Sequence, residues 1–258
     1  MGILCKSRVL VAALLILLTT GSALCQELAG FAANLQKIDV LLNQGDNQQA
    51  LRLLQELPEE GLHFDQKLWR MARLQYEMGR VAASDQDSMM FYQRAEKFAR
   101  SAIANNPDSG EGYKWLAIAL GAQTKESDTQ AQIRLAREVK ENIEKAIALA
   151  PEDDIAYLVL SRWHYKVSAL GFMSRTITSI VYGGLPEASL SEAEKLLWRA
   201  IALRDRIAHR YNLAKVYERM DRRVDAKMQL QKALLLAVTF QEEAEAQQKC
   251  RDKLKEWQ

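Results

Sequence analysis

Beyond residue 25 the chain is a succession of apolar positions three and four residues apart, interrupted at intervals by short polar joints. That period is helical. The joints resemble one another: AIANNP at 102–107, AIALAP at 146–151 and AIALRD at 200–205. Each is followed, six residues after its Pro or Asp, by a tyrosine: Tyr113, Tyr157 and Tyr211. Three positions further on stand Leu116, Leu160 and Ala214. Ala102, Ala146 and Ala200 are 44 and 54 residues apart, Ala233 follows Ala200 by 33, and Leu57 precedes Ala102 by 45.

A unit of about 34 residues, with small residues near its end and a proline before the next helix, is the tetratricopeptide (TPR) period, here lengthened by insertions. Residues 211–236, YNLAKVYERMDRRVDAKMQLQKALLL, carry it most cleanly. Leu213, Ala214 and Tyr217 line one helix, residues 221–223 turn, and Ala226, Leu230 and Ala233 line the next. Alanines at a helix crossing let backbones approach, while Tyr, Trp and Leu fill the space alongside. The predicted fold is all-α: a TPR-like right-handed solenoid of antiparallel helix pairs with an extra inserted helix. Five pairs fall at about 31–57, 65–105, 110–150, 154–204 and 207–238. The repeat domain is thus expected over 26–240, with a capping helix over 241–258.

The glycines of NNPDSGEGYKWLAIALG, residues 105–121, invite comparison with a phosphate-cradling loop. Such a loop follows a strand, and none is predicted here. The matching joint APEDDIAY at 150–157 contains no glycine. Pro107 ends one helix, Asp108 or Ser109 caps the next, and the glycines permit a tight joint.

Composition changes the picture mainly at the N-terminus. Lys6 and Arg8 precede the apolar run VLVAALLILL, and small residues follow at Gly21 and Ala23. Residues 1–25 therefore read as a secretory signal peptide, cleaved after Ala23 or Cys25, or as an uncleaved N-terminal anchor. Leu24 disfavours lipid attachment at Cys25. Without residues 1–23, the net charge of +2 falls to zero, which argues against nucleic acid as partner. Only Cys250 lies clearly in the body, so neither a disulfide framework nor a cysteine metal site is expected.

Catalytic chemistry is not visible. His63, His164 and His209 lack partners at metal-ligand spacing, and no GxSxG elbow occurs. His164 reads as a structural residue beside Trp163. Glu59–Glu60 and Asp153–Asp154 sit at helix starts, where carboxylates complement the dipole. No catalytic residue, metal or cofactor is expected. The informative irregularity is the long fourth unit, residues 160–197. Val167, Leu170, Met173, Ile177, Ile180 and Val181 form a helical stripe there. This extra helix either plugs the concave side as core or walls a groove for an apolar ligand or partner helix. In the second case Trp163, Tyr165, Leu170, Phe172, Met173 and Ile177 form the wall, and Arg162, Lys166 and Arg175 a basic rim.

KLWRMAR (67–73), YKWLAIAL (113–120), VKENIEKAIALAPED (139–153) and above all SRWHYKVSALGFMSRTITSIVYGGLPEASLSEA (161–193) make the chain resemble the regulator of microtubule dynamics family over about residues 65–236. The resemblance implies a non-enzymatic, TPR-like protein that binds a protein partner, tubulin or microtubules, in its concave groove. The alternative is a phospholipid-binding or lipid-transfer module, since one such member looks like a phospholipid carrier and some carry a membrane anchor. The leader departs from that picture. It implies a secretory, periplasmic or lumenal location, against a cytoplasmic, membrane-anchored or microtubule-associated one for the family.

Overall fold

The computed structural model describes residues 29–61, 63–169 and 187–257. Eleven α-helices and no strand occur among them. Helix α1 covers residues 29–44. It is followed by α2 (Asn47–Glu56), α3 (Phe64–Arg80), α4 (Asp85–Asn105), α5 (Gly110–Gln123) and α6 (Thr129–Leu149), the last preceded by a short 3-10 turn. Then come α7 (Asp154–Ser168), α8 (Leu190–Leu203), α9 (Ile207–Arg219), α10 (Arg223–Leu234) and α11 (Gln241–Glu256). The expected leader, 1–25, lies outside the described residues. So does most of the expected inserted helix, with Leu170, Phe172, Met173, Arg175 and Ile177. Among the described residues no helix is long and apolar enough to cross a membrane.

Short polar side chains start six of these helices. Asp46, Ser84, Ser109, Asp128, Asp153 and Ser189 each accept a hydrogen bond from a backbone N–H two or three residues ahead, each worth about 1 kcal/mol. The repeated joints end helices identically. Asn106, Ala150 and Arg204 donate their backbone N–H to the carbonyls of Ala102, Ala146 and Ala200, each at 2.9 Å. Those three alanines are fully buried, because the next helix crosses there. Gly112 shows how closely: a Cβ on it would lie 3.1 Å from Ile103 Cγ1. It serves packing, not ligand binding.

Odd-numbered helices form an inner layer and even-numbered ones an outer layer. Within each pair the partners pack antiparallel, and α3, α5, α7, α9 and α11 also touch in succession. This is a TPR-like solenoid. Three hydrophobic clusters follow one another along it, centred on Leu54, on Trp115 with Leu120, and on Leu213 with Leu230.

Helix α11 packs on α9 and α10 through Ala246 and Cys250. Burial pushes the Cys250 thiol up to about 11, so it behaves as a core residue. The first turns of α11 also reach back to the far end of the stack. Gln241 lies against Gly45, and Arg80 of α3 lies 3.3 Å from both Glu242 and Glu245. The inner layer therefore closes around an interior space.

Candidate functional site

Two cavities that share part of their lining lie along the inner helices. The first, about 420 Å³, is lined by α1, α3, α5, α7, α9 and α11, with Trp69, Trp115, Tyr211 and Phe240 among its walls. The second, about 520 Å³, lies between α5, α6 and α7 and is more apolar, with Ala117, Ile133, Val139 and Trp163 on its wall. Tyr76, Ile118, Val159 and Arg162 face both. Inner-helix positions that do not meet the outer layer point inward, which is why aromatic and charged side chains collect here.

Most of the interior cations are paired. Lys114 Nζ lies 2.7 Å from Glu111 and 2.5 Å from Asp153. Burial works against its ammonium form, but the two carboxylates outweigh it and hold the pKa above the usual range. Arg70 meets Asp39 through Nε and Nη2 at 2.9 and 2.6 Å. Arg206 is hydrogen-bonded to Asp154. His209 Nε2 lies 3.3 Å from Asp154 Oδ2 but makes no directed hydrogen bond there. Burial lowers its pKa to about 4, so the ring is neutral, and Nδ1 sits 2.8 Å from the Arg204 carbonyl oxygen.

At the seam between α3 and α11, Arg80 bridges Glu77, Glu242 and Glu245. Burial first, and the neighbouring Glu242 second, push the Glu77 carboxyl up to about 8. Glu77 therefore holds its proton near neutral pH.

The sequence-derived candidates fall at different places. Arg162 stands where the two cavities meet and donates through Nε to Asn212 Oδ1 at 3.2 Å. Lys166, one turn on, lines the apolar cavity. Trp163 lines it too, yet is 5% exposed, donates Nε1–H to the Ala136 carbonyl at 2.7 Å and packs edge-on against His164. It is both wall and core. Tyr165 faces α9 instead, its ring 4.8 Å from Lys215 Nζ and 4.9 Å from the Arg219 guanidinium. The other five candidates lie outside the described residues.

Residues the sequence did not single out complete the interior: Tyr76, Trp115, Ile118, Asn212 and Lys249, with Lys215 beside it over the ring of Tyr165. Only the inner-face position within each first helix of a pair, three or four residues from a core position, could have marked them. Among the described residues no group of three or more His, Cys, Asp or Glu is placed to hold a metal ion.

Comparison with known proteins fits this architecture. A thermophilic TPR protein from Thermus thermophilus superposes with a TM-score of 0.64, over 85% of this chain and 97% of its own, at 20% identity. That likeness is one of fold. Regulator of microtubule dynamics protein 3 of Xenopus laevis is 32% identical over 82% of this chain and 47% of its own length. Regulator of microtubule dynamics protein 1 of Bos taurus is 27% identical over 64% of this chain and 52% of its own, and protein 2 of Homo sapiens 25% over 83% and 53%. The chain spans about half the length of these relatives. The profile of the family described as regulator of microtubule dynamics protein 1-3 matches residues 34–258. With its TPR-like helical layers and that match over most of its length, the chain belongs to the regulator of microtubule dynamics family.

Proposed function

We propose that this chain is a non-enzymatic scaffold that holds a segment of a partner protein in its inner cavity, and that the partner is microtubule-related and met in the cytoplasm. The observation that carries this reading is the continuous interior lined by six inner helices, with aromatic and polar groups facing inward. Stacked helix pairs offer such a surface to an extended segment, and the relatives are named for microtubule regulation. Co-sedimentation with polymerised tubulin tests it. The wild-type chain is expected in the pellet, and Ala208→Trp, which fills the first cavity, in the supernatant with its helical circular dichroism unchanged. Equal pelleting of both folded chains would sink the reading.

A second reading is favoured by one feature, the apolar cavity with Arg162 and Lys166 beside it. That arrangement suits an acyl chain with an anionic headgroup. Native mass spectrometry of the purified chain decides: a co-purifying phospholipid mass supports it, and the bare polypeptide mass alone removes it.

A further inference from the structure

Among the described residues, one group of cations beside the interior has no ion-pair partner, although Glu242, Glu243 and Glu245 also line the first cavity. Arg162 and Lys166 lie one turn apart on α7. Asn212, bonded to Arg162, sits one turn before Lys215 on α9. Lys215 Nζ rests over the ring of Tyr165, between those two α7 residues in sequence. Lys249 of α11 faces the same cavity as Arg162 and Asn212. Arg162, Lys166 and Lys249 act on Lys215 in the same direction as its burial, and Glu218 opposes them, but Glu218 is already held by Lys253 at 2.7 Å. Crowding of this kind costs stability unless an anion relieves it.

The cations are spread over three successive inner helices instead of converging on one point. At interaxial distances of about 10 Å, three helices span roughly 20 Å, the reach of about six residues of extended chain. We propose that the wall formed by Arg162, Lys166, Lys215 and Lys249 is the docking site for an acidic, extended peptide segment, whose carboxylates pair with these cations in turn. The proposal rests on the cavity being a protein-binding surface and names the chemistry of what it holds. Tyr165 and Tyr211 supply aromatic surface between the charges. Burial and like-charge neighbours hold the Lys166 and Lys215 pKa values below the usual range, and an acidic segment would raise both.

The test titrates fluorescein-labelled octaglutamate with the full chain at low ionic strength, read by anisotropy. Octaglutamine and vesicles of phosphatidylserine in phosphatidylcholine run alongside. Octaglutamate is expected to bind, octaglutamine not, and the affinity to fall as salt rises. The double variant Lys166→Ala/Lys215→Ala is expected to bind at least about tenfold more weakly. Lys166→Arg/Lys215→Arg is expected to restore binding, and Lys97→Ala on the outer layer to leave it unchanged. Failure of octaglutamate to bind saturably, or equal binding by the folded double alanine variant, overturns the proposal. So does capture of vesicles in place of octaglutamate, which assigns the wall to a lipid phosphate. If the double variant still co-sediments with tubulin but Ala208→Trp does not, only the acidic-segment inference falls. If neither change matters, the cavity itself is not the binding surface.

Discussion

Two walls of one interior use the same kind of side chain in opposite ways. Where α3 meets α11, Arg80 is surrounded by the carboxylates of Glu77, Glu242 and Glu245. On the wall of α7, α9 and α11, Lys215 is surrounded by Arg162, Lys166 and Lys249. The first arrangement joins the two ends of the stack, so its charges are satisfied within the fold. The second has no ion pair among the described residues, which is the cost that the proposed acidic segment would relieve.

The largest effect should come from breaking a pair that belongs to the architecture. Lys114→Met leaves Asp153 and Glu111 without their cation, at a cost of about 3 kcal/mol, read as a lowered denaturant midpoint. Arg80→Ala should follow at about 2 kcal/mol, because its partners Glu242 and Glu245 are half in solvent. Its signature is faster amide exchange through 241–246 while the pairs α3–α4 and α5–α6 stay protected.

The seam should also respond to pH. Folded Glu77 keeps its proton up to about 8, whereas its ordinary value is 4.5. Its contribution is therefore full at low pH and is lost as pH rises through the folded value. Ionised Glu77 then faces Glu242 across Arg80, beside Tyr76 and Glu245. Exchange in the first turns of α11, corrected for the intrinsic rate, is expected to accelerate as pH rises from about 4.5 to 8 in the wild type and to level off above that. In Glu77→Gln it should stay flat.

The smallest effect is the most diagnostic. Lys215→Met removes a cation that repels three others, so stability should be unchanged or higher by about 0.5 kcal/mol. A loss comparable to that of Lys114→Met would mean that the two walls do not differ.

The pairing of helices was legible because it is written locally. A buried alanine, a Pro or Asp and a tyrosine recur in order at three joints, with a capping Ser or Asp at the first two. The interior was not. Lys114 and Asp153 are 39 residues apart, and Arg206 and Asp154 are 52 apart, so which cations lack a partner is decided by superhelical curvature. The same holds for the return of α11 to Arg80. Trp163 illustrates the ambiguity within one side chain: it belongs to the hydrophobic core and also lines the apolar cavity. Tyr165, two residues on, is turned by the helical period toward α9.

The measurement that tests the central claim most directly is photo-cross-linking from inside and outside the solenoid. Benzoylphenylalanine is placed at Ile118, which faces both cavities, or at Val224, 80% exposed on the outer layer, and each chain is irradiated with polymerised tubulin. Cross-links from position 118 and none from 224 are the predicted result. Cross-links from 224 with none from 118 would place the binding surface on the outside and contradict the account.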